Sequence, residues 1–471
     1  MPKVKNIKEG IIEMIEIKSP LNDENIGQVK AMSKEDVNMK IEKAIKVFKT
    51  WKNTTLYERG EYLYKAAELF ERNADELAEL LMMEVGKDFK SAKSEVIRTA
   101  DLIKITVETA KNIFNQSIPA DTVAGVKKGK MAVTVREARG VVLAIAPFNY
   151  PVNLAVSKIA PALMGGNTVV FKPATQGSLC GTYIVDILKQ AGIPDGVVEL
   201  ITGKGSVIGD YIVTHKGINF INFTGSTQIG QDIAKQAGMI PLLMELGGKD
   251  AAIVLDDADL KLAAKNIVAG AFSYSGQRCT AIKRVLVMES VADELVEKIL
   301  ENMKMLKVGN PIDKNPYDVV PVIDEGSAEF ICKLIDDAKQ KGATLITGGT
   351  REGNLIVPTL FDYVTKEMDL AWEEPFGPVL PIIRVKDKEE AIKIANQSEF
   401  GLQSSVFTTN FNSAFEIANA LEVGTVQINN KTERGPDHLP FLGVKNSGVG
   451  VQGISYSIES MTNIKSIVIN L

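Results

Sequence analysis

Residues 140–173 read GVVLAIAPFNYPVNLAVSKIAPALMGGNTVVFKP. An apolar run of strand length, Val141–Ala146, is followed by the helical pattern of Asn153–Met164 and then by a second apolar run, Thr168–Phe171. Two such runs separated by a helix of this length indicate a βαβ unit, in which both strands are parallel and the crossover is right-handed. This stretch therefore predicts an α/β fold built on a parallel sheet.

The same alternation continues in both directions along the chain. Up to residue 246 it predicts further strands and helices at Ser178–Gln190, Val197–Ile201, Val207–Val213, Ile218–Phe223, Ile229–Ala237 and Leu242–Leu246. After residue 250 a second series begins, with strands expected at Ala252–Leu255, Val285–Met288, Leu355–Phe361, Val379–Val385, Ser404–Phe407 and Thr425–Ile428. The pattern is typical of a Rossmann-like cofactor domain followed by a second α/β catalytic domain.

Residues outside these two series predict helices and a protruding arm. Residues 34–115 have apolar positions at helical spacing, whereas 6–30 alternate like edge strands. Residues 116–139 and the last ten residues resemble protruding strands with exposed edges, which pairing across subunits would cover. We therefore expect a homo-oligomer, with a cofactor-binding domain of residues 1–115 and 140–246, a catalytic domain of 247–430, and an oligomerisation arm of 116–139 and 450–471.

Composition excludes several functional classes. The net charge of −5 provides no basic field for nucleic acid. No apolar run approaches 18 residues, and the N-terminus lacks the apolar core of a signal peptide. Three cysteines and two histidines argue against a disulfide framework, a metal site and a Ser-His-Asp triad. We expect a cytoplasmic protein without a nucleic-acid, membrane or metal partner.

Polar and glycine-rich segments follow the predicted parallel strands, at the rim where such sheets bind ligands. They are Pro147–Pro151, Lys172–Thr175, Thr202–Gly203, Thr224–Thr227 and Glu245–Gly248. This layout suits a dinucleotide, although none of these segments contains G-x-G-x-x-G. The segment from Gly225 through Ser226 opens a helix whose N–H groups could hold a phosphate, and an ordinary helix cap explains it about as well.

One cysteine has the surroundings of a nucleophile. Cys279 lies in Ser275–Arg284, which contains two arginines and a lysine, and nearby cations favour the thiolate. A buried structural cysteine is the alternative, because free Cys is often buried. Cys180 and Cys332 fall in helical patterns and are interpreted as packing residues.

Five motifs in order resemble the aldehyde dehydrogenase superfamily, over nearly the whole chain. They are Ala146–Pro151, Phe223–Thr227, Glu245–Lys249, Gly276–Cys279 and Glu374–Pro378. Within the superfamily, the stretch GQRCTAIKRV and the ending PFLGVK resemble the non-phosphorylating glyceraldehyde-3-phosphate dehydrogenases. The resemblance implies that Cys279 is the nucleophile, that Asn149 stabilises the oxyanion together with the Cys279 N–H, and that Glu245 activates the water.

The resemblance also implies a cofactor site and a substrate site. Lys172 would bind near the adenosine ribose, Gly225 and Ser226 the pyrophosphate, and Glu374 and Phe376 the nicotinamide side. Thr175 stands where NAD-preferring relatives often carry an acid that would repel a 2′-phosphate, so NADP is favoured and NAD is the alternative. The substrate anion would be bound by a group of cationic and phenolic side chains: Arg98, Tyr150, Arg278 and Arg434. Each arginine could instead be a structural charge.

The resulting hypothesis is an irreversible, NADP-dependent oxidation of D-glyceraldehyde 3-phosphate to 3-phosphoglycerate. It proceeds through a thiohemiacetal and a thioester on Cys279, and Glu245 favours hydrolysis over transfer to CoA. An aldehyde dehydrogenase for another anionic aldehyde, such as succinate semialdehyde, is the nearest alternative. A catalytically silent protein that keeps the fold is a third hypothesis. The family also implies a tetramer of paired dimers.

Overall fold

The structure is a computed structural model that describes residues 13–113 and 115–470. At the start of this part, Met14–Lys18 and Asn25–Lys30 pair as antiparallel strands. They correspond to the edge strands expected within residues 6–30, of which residues 6–12 lie outside the described residues. Ile15, Ile17 and Val29 form a small apolar cluster beneath this pair.

The predicted helical region follows. Within the described residues its helices are Lys34–Trp51, Leu56–Arg72, Ala74–Val85 and Phe89–Ala110. Ser33 and Thr55 begin the first two helices, because each side chain accepts a hydrogen bond from the backbone three residues on, and the acid at that position bonds back. Leu63, Ala67 and Phe70 are buried, as their helical spacing predicts.

The first sheet confirms the βαβ prediction. In the described chain its spatial order is Gly448–Val449, Leu242–Glu245, Phe220–Thr224, Val141–Ala146, Thr168–Pro173 and Val198–Leu200. Neighbouring strands are parallel except for the edge strand Gly448–Val449, which comes from beyond the expected domain boundary. The connecting helices are Asn153–Met164, Ser178–Gln190, Gly205–Val213 and Thr227–Gln236. The strand order reverses at Val141–Ala146, and in such sheets ligands bind at the reversal.

The second sheet forms the other α/β unit. Its order within the described residues is Thr344–Thr347, Thr359–Asp362, Val379–Val385, Arg284–Met288, Ala251–Val254, Gln403–Phe407 and Thr425–Ile428. Its helices are Leu260–Phe272, Glu289–Met303, Glu325–Gln340, Lys388–Asn396 and Phe411–Ala420. The strand expected at Leu355–Phe361 is divided at Pro358, which has no N–H for a ladder. Leu355–Ile356 pairs with Arg351–Glu352 instead.

The arm is a third, antiparallel sheet. Thr462–Ile469, Met131–Ala138 and Asn115–Pro119 lie side by side in that order. The C-terminal part of the predicted arm differs from the expectation, because Ile454–Ser460 is a helix that packs against Phe89–Ala110 and Asn153–Met164. Ile454 and Ile458 are four residues apart and buried, as in a helix, so the alternating pattern of a strand begins only at residue 462.

The N-terminal helices and the first sheet share one apolar core, in which Phe70, Leu81 and Ile103 cluster with Phe171 and Ile184. The second sheet has its own clusters, one on each face. The fold class predicted from the sequence is therefore confirmed. Among the described helices, none combines the length and apolar character needed to cross a bilayer.

Candidate active site

A cleft of about 840 Å³ opens at the carboxyl ends of the strands of the first sheet and reaches the second α/β unit. Its volume is that of a small-molecule site. Most of the side chains predicted for catalysis and cofactor binding line it: Asn149, Lys172, Thr175, Gly225, Ser226, Cys279, Glu374 and Phe376. The structure thus brings together residues that are far apart in the sequence.

Cys279 follows a tightly wound turn. Tyr274, Ser275 and Gly276 all have positive φ angles, of 52°, 57° and 69°, a conformation that costs non-glycine residues energy. The Ser275 hydroxyl donates to the Val320 carbonyl at 2.6 Å and accepts from its N–H at 2.7 Å. A Cβ on Gly276 would lie 2.5 Å from the Gly377 carbonyl oxygen. These contacts fix the backbone that carries the thiol.

The environment of the thiol differs from the sequence-based interpretation. Burial raises the pKa of Cys279 to about 12; Lys283 opposes this, whereas Glu245, Glu374 and Asp250 add to it. The two nearby arginines bind elsewhere, because Arg278 donates to the Gly270 carbonyl and Arg284 to the carbonyls of Lys249, Ala371 and Ala395. Of the three cations in this segment, Lys283 therefore acts on the thiol as expected, whereas the two arginines do not.

Asn149 follows the central strand of the first sheet. Its Nδ2 donates to the Gln277 carbonyl at 2.9 Å, and its side chain is buried beside the turn that carries Cys279. An amide NH₂ at this point is suited to an oxyanion that forms near the sulfur.

Glu245 ends the strand Leu242–Glu245 and is 2% exposed. Its Oε2 accepts from Arg434 Nη1 at 2.8 Å, while its Oε1 is buried without a partner among the described residues. Burial raises the pKa of this carboxyl, and Arg434 and Lys158 limit the rise. A carboxylate with a raised pKa and one free oxygen is suited to general-base work.

Lys158 lies beside the candidate site and was not predicted from the sequence. It is fully buried, and its Nζ donates to Thr224 Oγ1 at 2.6 Å. Burial lowers its pKa to about 7, and Glu245 opposes the fall. The available signal was a lysine within the largely apolar helix Asn153–Met164, all of which is buried.

One end of the cleft has features that suit a phosphorylated nucleoside. Lys172 is buried, its Nζ donates to the Pro173 carbonyl at 3.3 Å, and burial lowers its pKa to about 8. Thr175 lines the same cleft. Ser226 precedes the helix Thr227–Gln236 without forming a side-chain cap, so the first N–H groups of this helix are available to a phosphate.

Glu374 and Phe376 close the cleft from the second α/β unit. Glu374 Oε1 lies 3.0 Å from Lys283 Nζ and accepts from the Gly248 N–H at 3.3 Å. A Cβ on Gly247 would lie 2.3 Å from Glu374 Oε2, so a side chain at residue 247 would displace this carboxylate. The Phe376 ring meets Phe148 edge to face at 5.9 Å.

The residues predicted for the substrate anion are only partly brought together. Arg98 binds Asp437 with two hydrogen bonds, of 2.8 and 2.7 Å, and Arg434 Nε lies 3.9 Å from the same carboxylate. Asp437 lies in none of the motifs that predicted the site. Arg278 differs from the expectation, because its buried guanidinium donates to Gly270 and, among the described residues, it forms no ion pair with this group.

Residues 13–113 and 115–470 contain no group of three or more His, Cys, Asp or Glu side chains that could hold a metal ion.

Comparison with known proteins identifies the class. A family model described as aldehyde dehydrogenase family matches residues 7–467. The chain belongs to the aldehyde dehydrogenase family. It is 54% identical over 459 residues to the NADP-dependent glyceraldehyde-3-phosphate dehydrogenase of Streptococcus equinus, covering 98% of this chain and 96% of that protein. It is 51% identical over 446 residues to the protein of the same name from Pisum sativum, covering 94% and 89%.

Solved structures agree with these sequence relatives. The crystal structure of NADP-dependent glyceraldehyde-3-phosphate dehydrogenase from Bacillus halodurans C-125, complexed with NADP, superimposes with a TM-score of 0.96 at 56% identity, covering 98% of this chain and 96% of that one. The glyceraldehyde-3-phosphate dehydrogenase of Methanocaldococcus jannaschii, also complexed with NADP, gives a TM-score of 0.93 at 38% identity, covering 97% and 98%.

Proposed function

We propose that this chain oxidises D-glyceraldehyde 3-phosphate irreversibly to 3-phosphoglycerate, with NADP as the oxidant. The observation that carries the proposal is that Cys279 and Asn149 line one cleft, whose other end offers a helix N-terminus and Lys172. The buried Glu245 ends a strand at the rim of this cleft, and its charge acts on the Cys279 thiol. The relatives at 50–54% identity bear the name of this activity and support the choice of substrate.

Bond formation begins at the sulfur. The Cys279 thiolate attacks the aldehyde carbon, and the carbonyl oxygen becomes an alkoxide. The Asn149 amide and the Cys279 N–H donate hydrogen bonds to that oxygen, which is where negative charge develops. Lys283, which opposes the rise in the pKa of the thiol, favours the reactive thiolate.

Hydrolysis completes the reaction. NADP held in the cleft would supply the hydride acceptor, and loss of hydride would leave a thioester on Cys279. Glu245 takes a proton from a water molecule, the water oxygen attacks the thioester carbon, and the C–S bond breaks to return the thiolate. The aldehyde, NADP and water thus give the acid, NADPH and a proton, and no inorganic phosphate is consumed.

The residues at the cleft fit the cofactor. Lys172 and Thr175 would hold the adenosine ribose and its 2′-phosphate, since neither repels an anion. Gly225 and Ser226 would present helix N–H groups to the pyrophosphate. Glu374, against Gly247, would accept from the nicotinamide ribose hydroxyls, and Phe376 would line the ring. NAD is the alternative cofactor.

The substrate anion would be bound by Arg98, Arg434 and the Tyr150 hydroxyl. Arg278 remains a predicted member and would have to leave the Gly270 carbonyl in order to join. Succinate semialdehyde is the second candidate substrate, because Arg98 already holds a carboxylate through two parallel hydrogen bonds, the geometry that a carboxylate substrate would use.

We also propose a domain organisation, an oligomeric state and a cellular location. The N-terminal helices with the first sheet would be the cofactor-binding domain, and the unit around the second sheet the catalytic domain. The arm sheet exposes Ile118, Ile464, Ile467 and Val468, and burying such side chains between subunits would support a tetramer of paired dimers. Three free cysteines fit a cytoplasmic location.

Absorbance of reduced nicotinamide tests the function directly. Purified protein would receive glyceraldehyde 3-phosphate, unphosphorylated glyceraldehyde or succinate semialdehyde, each with NADP or NAD, in buffer free of phosphate and CoA. We expect sustained NADPH formation with glyceraldehyde 3-phosphate. A preference for succinate semialdehyde would identify that aldehyde as the substrate and would leave the proposed mechanism unchanged. No reduction with any aldehyde would support a catalytically silent protein.

A further inference from the structure

Lys87 lies in a buried cage made of two aromatic rings and one carboxylate. Its Nζ is 3.5 Å from the centre of the Tyr150 ring and 4.7 Å from that of Tyr274, and it forms an ion pair with Glu95. Its side chain is 1% exposed. The distance to Tyr150 is the shortest between a cation and an aromatic ring within the described residues, and such contacts are strongest where water is excluded.

The cage joins the segments that build the active site. Tyr150 follows Asn149 directly, and Tyr274 belongs to the left-handed turn before Cys279. The Tyr274 hydroxyl donates to the Val85 carbonyl at 2.8 Å, next to the loop that carries Lys87. The cage therefore connects the candidate oxyanion side chain with the backbone of the candidate nucleophile.

Glu95 has a second role beside its pairing with Lys87. Its Oε1 accepts from the N–H groups of Val152 and Asn153, each at 3.0 Å, and so begins the helix that carries Lys158. An apolar side chain would fill the place of Lys87 at a smaller desolvation cost. The buried ammonium group on the face of the Tyr150 ring indicates that this ring has to be held in one position for the site to work.

We infer that Lys87 is a positioning residue for the substrate anion and acts through Tyr150. This inference rests on the proposed function. The ammonium fixes the face of the Tyr150 ring, and Tyr274 meets the ring edge to face at 6.3 Å and 81°. The Tyr150 hydroxyl has no hydrogen-bond partner among the described residues and remains available to a ligand. Arg98 follows Glu95 by three residues on the helix Phe89–Ala110, so it lies on the same helix face as the carboxylate of the cage.

Steady-state kinetics of Lys87→Met with phosphorylated and unphosphorylated glyceraldehyde tests the inference. We expect KM for glyceraldehyde 3-phosphate to rise about tenfold, with kcat changed by less than about threefold, because substrate positioning is lost and the chemical groups remain. For unphosphorylated glyceraldehyde we expect kcat/KM to stay within about twofold of the wild-type value. In a Tyr150→Phe background the effect of Lys87→Met should largely disappear, because the hydroxyl it positions is absent.

Two further variants separate positioning from folding. Lys87→Met with Glu95→Gln removes both charges and keeps an oxygen that can accept from Val152 and Asn153, so no unpaired carboxylate is left. Lys314→Met is the matched control, since Lys314 also lies over an aromatic ring, 5.5 Å from the centre of Phe89, but is half exposed. We expect the double variant to show the same selectivity change and the control to show none.

An equal loss of kcat/KM for both aldehydes would assign Lys87 a structural role only and overturn the inference. An unchanged selectivity, or an undiminished effect in the Tyr150→Phe background, would overturn it as well. These outcomes leave the wild-type activity in place. If the wild-type protein itself preferred the unphosphorylated aldehyde, the proposed function would fail and this inference with it.

Discussion

The ammonium group of Lys283 joins the candidate nucleophile to a carboxylate of the proposed cofactor site. Its Nζ lies 3.0 Å from Glu374 Oε1 and also donates to the backbone carbonyl of Cys279. Lys283 is 2% exposed, so its charge acts without screening by bulk water. Replacing this lysine should therefore change the pKa of the Cys279 thiol.

Replacing Lys283 with methionine should lower the reactivity of the Cys279 thiol. Lys283 is the group that lowers the pKa of this thiol against burial, so its loss leaves less thiolate at a given pH. We expect the iodoacetamide rate of Cys279 near pH 8 to fall about tenfold. Lys249→Met is the control, because Lys249 is equally buried but donates to the Glu373 carbonyl. Equal alkylation rates in Lys283→Met and wild type would contradict the assignment.

Replacing Glu245 with alanine should separate the two halves of the reaction. Hydride transfer does not need this base, whereas thioester hydrolysis does, so we expect one burst of NADPH per site and a steady-state rate reduced about 100-fold or more. Stopped-flow absorbance measures both phases. Glu199→Gln removes another buried carboxylate of the same sheet, paired with Lys40, and should turn over normally. Undiminished turnover in Glu245→Ala would contradict the role of Glu245 as the general base.

The pH dependence of hydrolysis should reflect the pKa of the Glu245 carboxyl. Burial raises the pKa of Glu245 above its ordinary value of 4.5, and only the carboxylate can take a proton from water. The single-turnover hydrolysis rate should therefore decline, as the pH is lowered, at a pH above that of an ordinary glutamate. A rate that stays constant down to pH 4.5 would contradict this.

Replacing Thr175 with glutamate should reverse the cofactor preference. A carboxylate beside Lys172 would repel the 2′-phosphate of NADP and could accept from the ribose hydroxyls of NAD. We expect kcat/KM for NADP to fall about 100-fold and that for NAD to be retained or to rise. Thr175→Gln has nearly the same shape without the charge and should keep the wild-type preference. A similar loss in both variants would indicate a steric effect.

Replacing Lys158 with methionine should stabilise the fold at neutral pH. The pKa of Lys158 is lowered from 10.5 to about 7, so as the pH falls between these values the unfolded chain binds a proton that the folded chain does not. That linkage removes stability, on the order of 4 kcal/mol at pH 7, which the variant regains.

Denaturant unfolding at pH 7 and pH 9.5 measures the effect of Lys158→Met on stability. The advantage of the variant should shrink at the higher pH, where the unfolded chain is also losing its proton. Lys189→Met, on an exposed helix face, should change stability little at either pH. An advantage that grows with pH would contradict the sign of the argument.

Local patterns in the sequence determined much of this protein. Alternating apolar runs and helices predicted the parallel sheet, because burial on both faces makes each strand continuously apolar. The catalytic candidates Cys279, Glu245 and Asn149 were identified because each lies in a short motif of several residues. Helix starts at Ser33 and Thr55 are likewise decided by neighbours three residues away.

Only the tertiary structure decided which distant charges meet. Arg434 pairs with Glu245 across 189 residues, Arg98 with Asp437 across 339, and Lys158 reaches Thr224 across 66. Arg278, adjacent to the nucleophile in sequence, instead turns to the Gly270 carbonyl. A long side chain binds the partner that the packed fold brings within about 3 Å of its polar atoms. The packing of the elements therefore decides which partner is bound, and it also decides the burial that shifts each pKa. Local sequence patterns do not predict these pairings.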